Sequence, residues 1–249
     1  MLPGSALAGK FMRVDLFTYE EGGDVTQKDG TAGMGGVLSG QSRSAPRPMP
    51  VVVLADVSGS MDGEKIHVLN RSIAAMIAAF GAEDTVRGEI HVAVVAFGGD
   101  EAVLHVPMTP APRARWTDLT PRGRTPLGSA FDAVRELLAD PAVMPERAFP
   151  PTLVLVSDGV PTDDWETPLD GLLLSSWGRR ALRLAIGVGV DRTPDADEVL
   201  AAFSTPGMNV LRTDQVHEIS GHFRWVTATV TGKLHERVER QAVHLSDLD

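Results

Sequence analysis

The sequence contains no cysteine in 249 residues. This excludes disulfides, thiolate metal sites and cysteine nucleophiles, and it fits a reducing compartment. Cations are also scarce: 23 Lys and Arg stand against 33 Asp and Glu, a formal charge of −10 with a pI near 5.1. Phosphate affinity needs clustered cations, so a general nucleic-acid binder is not expected. No apolar run approaches the roughly 20 residues of a membrane helix. Residues Met1 to Lys10 lack a basic region followed by a continuous apolar stretch, so no secretory signal peptide is expected. The expected setting is soluble and cytoplasmic. What is present describes an ordinary globular protein, 43 % hydrophobic and 22 % charged. It is long enough for one large α/β domain with an extension, or for two small domains.

Residues 1–50 differ from the rest. Gly22, Gly23, Gly30, Gly33, Gly35, Gly36 and Gly40 break any regular period, and the Pro-rich stretch Ser42–Pro50 reads as a linker. One candidate strand, Phe11–Tyr19, suggests a loosely attached hairpin or arm. From residue 51 the signals strengthen. Val51–Ala55 and Thr152–Ser157 are continuous apolar runs, the pattern of strands covered on both faces in a parallel sheet. Ile90–Phe97 is a further strand; Gly98-Gly-Asp100 then turns the chain into a hairpin partner at Ala102–Val106. Leu182–Val190 alternates as another strand, and a short one is expected at Asn209–Leu211. Between them, Ile66, Leu69, Ile73, Met76, Ile77 and Phe80 form one helical stripe. Helices are also expected from Thr125-Pro126 to Ala139, at Leu169–Trp177, and at 194–203 and 214–230. Trp177 and Trp225 are expected in the core.

Strands alternating with helices give an α/β fold: a doubly wound, mostly parallel central sheet with one antiparallel edge strand. The expected organisation is a Gly/Pro-rich extension at 1–50, an α/β domain at 51–230 and a polar tail at 231–249. Ligands of such sheets bind at the carboxyl ends of the strands.

Three segments place oxygen-bearing side chains at strand or helix ends: Asp56-Val-Ser58-Gly-Ser60, Thr125 in Gly123–Gly128, and Asp158 in Val156–Pro161. Each alone reads as a helix cap or a turn. Together they would lie on one sheet edge and offer two carboxylates and three hydroxyls without nitrogen or sulfur. That hard-oxygen set suits a small divalent cation, most naturally Mg²⁺, with Mn²⁺ or Ca²⁺ as alternatives. The seven histidines do not group at zinc spacing, and Gly187-Val-Gly189 lies inside a strand and is no dinucleotide fingerprint. Asp163-Asp164-Trp165 reads as a helix-start cluster near the same edge.

Asp56-Val-Ser-Gly-Ser-Met61, the distant Thr125 and then Asp158-Gly159 resemble the metal-ion-dependent adhesion site of von Willebrand factor A domains. The resemblance spans about residues 50–230 and includes Ala185–Asp191. Within the family, Leu155–Trp165 looks like the bacterial TerY-like branch, associated with tellurite-resistance and stress operons. The resemblance implies that Ser58, Ser60 and Thr125 bind the cation directly or through water, with Asp56 and Asp158 in direct or water-mediated contact. It implies a non-enzyme whose metal accepts an Asp or Glu from a partner protein. The chain departs from the family pattern at Arg124, where many relatives have a second glycine; that arginine either faces the ligand or is solvated.

The alternative is a metal-dependent hydrolase of the haloacid-dehalogenase phosphatase type using Asp56. Such enzymes need a second aspartate two residues on, and Ser58 stands there. No histidine, cysteine or lysine is tied by motif to the site, so neither general base nor nucleophile is indicated.

Overall fold

The computed structural model describes residues 45–83, 88–189, 194–213 and 215–246, with side chains described as far as Glu236. The candidate strand at Phe11–Tyr19 lies outside them. Six strands, β1 (Arg47–Asp56), β2 (Gly88–Gly98), β3 (Glu101–Pro110), β4 (Thr152–Ser157), β5 (Leu182–Val188) and β6 (Leu211–Thr213), form one sheet. Their order is β3-β2-β1-β4-β5-β6, and only β3 runs antiparallel. The helices are α1 (Glu64–Gly81), α2 (Leu127–Ala139), α3 (Glu166–Leu174), α4 (Pro194–Phe203) and α5 (Ile219–Ser246).

The period-two geometry of β1 divides the interior. Met49, Val51, Val53 and Ala55 pack with α1 and α5, whereas Val52 and Leu54 pack with α2, α3 and α4. All six side chains are fully buried, which explains the unbroken apolar run. The six stripe residues of α1 are all buried against the sheet. At the other end of the same layer, Phe223, Val226, Val230 and Leu234 form the buried stripe of α5.

Strand β1 begins at Arg47, inside the stretch expected to be a linker. Pro48 and Pro50 are tolerated because of where their missing donors point. Alternate residues of a strand present their backbone groups to the same side. Pro48 O accepts from Phe149 N at 2.8 Å on the β4 side, and β4 pairs with β1 only from Val51 onward. Both prolines therefore face a side with no ladder yet to donate into, as prolines in sheets do.

Other boundaries shift for local reasons. The helix expected to reach Trp177 stops at Leu174, because Ser175 Oγ donates to Leu172 O and accepts from Gly178 N, which turns the chain. Strand β5 ends at Val188, before Gly189 at φ +69°. The short last strand lies at Leu211–Thr213, two residues later than expected, and the last helix is a single run from Ile219 to Ser246. Trp225 is not in the core: it is 42 % exposed, because it falls between the stripe positions Phe223 and Val226. Trp177 is partly buried on the side of the sheet covered by α2, α3 and α4, with the Arg180 guanidinium 4.8 Å from its ring centroid.

Candidate metal centre

The sheet order reverses between β1 and β4, and the three oxygen-bearing segments meet at that switch point. Strands β1 and β4 are parallel neighbours in register, Ala55 opposite Val156, so Asp56 and Ser157-Asp158 leave the sheet side by side. Asp56 is fully buried. Its Oδ1 accepts from Ser58 N at 2.7 Å, and its Oδ2 accepts from Ser157 Oγ at 2.6 Å. Burial holds the Asp56 carboxyl above the usual carboxylate range, against the opposing pull of its Ser157 and Ser58 hydrogen bonds; the nearby Asp158 charge adds to the rise.

A chain of oxygens continues outward. Ser58 Oγ lies 3.0 Å from Ser60 Oγ, and Ser60 Oγ donates to Asp158 Oδ1 at 2.7 Å. Ser58 and Asp158 are buried, and Ser60 is exposed at the mouth. Thr125 completes the set from the β3–α2 connection. A Cβ built on Gly159 would stand 3.6 Å from Thr125 Oγ1 and 3.7 Å from Ser60 Oγ, so both hydroxyls border the space beside that glycine. The structure thus brings all five expected residues to one strand edge. Among the described residues no three of His, Cys, Asp and Glu gather as a metal group, and only two of these five are carboxylates.

The loop carrying Thr125 is held backbone to backbone against the Asp56–Ser60 loop. Arg122 N donates to Val57 O at 2.6 Å, and Gly59 N donates to Gly123 O at 3.0 Å. Gly123 must be glycine: its φ is +56°, and a Cβ would come within 2.6 Å of Gly99 Cα.

Thr125, whose place before Pro126 also suits a helix cap, does not cap α2: Pro126 holds the cap position and makes no side-chain cap bond. Asp163 does that work across the loop, with Oδ1 accepting from Gly128 N and Oδ2 from Ser129 N, both at 3.0 Å. Thr162 N donates to Thr125 O at 2.9 Å and Thr162 Oγ1 accepts from Thr125 N at 3.2 Å, which fixes the threonine backbone. The Asp163-Asp164 pair therefore divides: Asp163 serves α2, and Asp164 accepts from Thr167 N at 3.4 Å in the first turn of α3.

Sequence reasoning missed three further contributors. Ser157 supplies the hydroxyl on Asp56. Asn70, buried in α1, pairs with both backbone groups of Leu119 and so anchors the connection that leads to Thr125. Lys65 Nζ pairs with Asp158 Oδ2 and donates to Ser60 O at 3.2 Å. Arg124 is solvated: its side chain is 73 % exposed and stands 3.7 Å from that of Asp100.

Residues 51–160 match the family model of the von Willebrand factor type A domain. No curated protein sequence matches the chain. Among solved structures, proximal thread matrix protein 1 from the mussel byssus, with a zinc-occupied MIDAS motif, superposes with a TM-score of 0.57 at 19 % identity over 74 % of this chain and 48 % of that one. A von Willebrand factor type A protein from Catenulispora acidiphila gives 0.55 at 18 % identity, over 75 % and 43 %. The vWF domain of the type V pili tip protein Mfa5 from Porphyromonas gingivalis gives 0.55 at 13 % identity, over 77 % and 97 %. The chain spans about half the length of the mussel protein, and at these identities the likeness is one of fold. No helix among the described residues is long and apolar enough to cross a membrane.

Proposed function

We propose that this chain is a von Willebrand factor A domain acting as a non-catalytic interaction module that binds a partner's Asp or Glu through one divalent cation. Asp56, Ser58, Ser60, Thr125 and Asp158 would hold the ion. The observation that carries the reading is the oxygen chain Ser58–Ser60–Asp158, with Asp56 accepting from the Ser58 backbone N–H and Thr125 alongside, an all-oxygen set of side chains at the sheet's switch point. The donor chemistry fits Mg²⁺, or Mn²⁺ and Ca²⁺, which take oxygen ligands and tolerate retained water. Asp56 fits as well: its buried carboxylate is held by Ser58 and Ser157 with no Lys, Arg or His pairing with it among the described residues, and burial raises its pKa. The zinc-occupied motif of the mussel relative supports a divalent ion in the same fold.

The cation supplies positive charge to which a carboxylate can bind. The chain's own residues do the rest. Ser157 orients Asp56, Thr162 and Asp163 fix Thr125 and the helix behind it, and the Asp56–Ser60 and Arg122–Thr125 loops brace each other. The non-catalytic reading is supported by the serine hydroxyls, which bond to one another and to Asp158 instead of to an imidazole. The motif Leu155–Trp165 supports a TerY-like scaffold of a bacterial stress-response or tellurite-resistance system, and the cysteine-free composition supports a cytoplasmic one. The test is capture of partners from the native lysate with and without EDTA, alongside Thr125→Ala. Chelator-sensitive capture that Thr125→Ala loses supports the proposal. Equal capture in every arm, or turnover of a generic phosphate ester with Mg²⁺, counts against it.

A further inference from the structure

Lys65 is the one side-chain cation among the described residues that touches the candidate site. Its Nζ pairs with Oδ2 of Asp158, whose side chain is fully buried, while the lysine side chain itself is 30 % exposed. The same ammonium accepts a second anchor from the loop, donating to Ser60 O at 3.2 Å. Its place in the fold makes this pairing informative. Lys65 is the second residue of α1, where the helix dipole disfavours a cation. An ordinary solvated lysine would turn away from that end; this one folds back over the loop onto a buried carboxylate. Both oxygens of Asp158 are thereby committed, Oδ1 to Ser60 and Oδ2 to Lys65.

We infer that Lys65 is the resident cation of the site and competes with a divalent ion for Asp158, so that it holds metal affinity down. The inference rests on the metal-binding reading above. Without a divalent ion, Lys65 neutralises the outer of the two carboxylates, Asp158, and lets the loops keep their arrangement. With one, the ion must either displace the ammonium from Asp158 or bind beside it, and both routes are opposed by charge. The same positive charge leaves the filled site more cationic: two carboxylates, one ammonium and a 2+ ion sum to +1, where the site without Lys65 would be neutral. That surplus favours an acidic partner.

The test is titration of the full chain with Mn²⁺ alone and Mg²⁺ alone, by calorimetry and by thermal shift. It compares the wild type with Lys65→Met, Lys65→Gln and Lys65→Arg. The expected result has two opposite signs. The metal-free Tm falls in Lys65→Met, because Asp158 loses its counter-ion, while the Kd for Mn²⁺ tightens about tenfold. That factor is the repulsion of a 1+ and a 2+ charge roughly 6 Å apart in water. Lys65→Gln gives the same tightening and guards against a Met variant that fails to fold; Lys65→Arg keeps the wild-type affinity. Unchanged or weaker Mn²⁺ binding in both neutral variants overturns the inference and leaves the metal reading standing. A wild type that binds neither ion overturns both.

Discussion

Asn70→Ala should damage the candidate metal edge although Asn70 is not one of the proposed ligands. The carboxamide is buried, 5 % exposed, and makes two bonds to one residue: Nδ2 donates to Leu119 O at 3.0 Å and Oδ1 accepts from Leu119 N at 2.9 Å. Leu119 is itself 6 % exposed, so water reaches these backbone groups poorly once the amide is gone. Each buried backbone group left unpaired costs about 1–3 kcal/mol. Two of them, partly relieved by movement of the loop, give about 2–4 kcal/mol. For a domain of this size that is a fall in Tm of roughly 4–16 °C. The loop from Ala114 to Pro126 carries Leu119, Arg122 and Thr125, so relaxation at Leu119 should also weaken Mn²⁺ binding. The assay is denaturant unfolding together with a Mn²⁺ titration. Asn70→Asp is the informative partner variant, since it keeps the acceptor for Leu119 N but turns a carboxylate oxygen toward Leu119 O. A loss below about 0.5 kcal/mol for Asn70→Ala, within the range of an ordinary surface change, would refute this reading of the loop.

Asp163→Ala removes the carboxylate that caps α2 and should cost about 1–2 kcal/mol by chemical denaturation, with weaker Mn²⁺ binding because α2 begins just after Thr125. Arg183, buried at the start of β5, donates to Phe203 O at 2.8 Å and Gly178 O at 3.1 Å. Arg183→Ala should cost about 2–4 kcal/mol yet leave the Mn²⁺ Kd unchanged, because the site lies five residues along the strands, about 17 Å away. The raised pKa of Asp56 also has a pH consequence. The folded state holds that proton more tightly than the unfolded state, so metal-free stability falls as pH rises from the ordinary carboxylate range through the raised value. Asp56→Asn should remove this slope, raise the metal-free Tm at neutral pH and abolish any metal-induced shift. A Tm series over pH for the two proteins decides it.

The sheet was legible wherever burial on both faces forces an unbroken apolar run, as in Val51–Ala55 and Thr152–Ser157. The α1 stripe was legible because its period is helical. Pro48 and Pro50 misled because a sequence does not say which side of a strand lacks a neighbour, and here β4 starts late enough to spare their missing donors. Trp225 misled because a large aromatic was placed by type and not by its phase on α5. At the candidate site, the five oxygen residues stood out because each ends a strand or opens a helix. Their supports did not. Asn70 meets Leu119 across 49 residues, Lys65 meets Asp158 across 93, and Ser157 meets Asp56 across 101. No local pattern marks such pairs, since each residue alone reads as a polar helix or strand-end position. Asp163 was visible as an acidic helix start, but the helix it serves is the one before it in sequence.

The claim on which the account depends is that these five oxygens bind a divalent ion. Calorimetric titration of the metal-free chain with Mn²⁺, with Asp56→Ala run beside it, tests this most directly. The account predicts one equivalent bound by the wild type, a matching rise in Tm, and neither in a folded Asp56→Ala. A wild type that takes up no ion, or an Asp56→Ala variant that binds as well as the wild type, would contradict it.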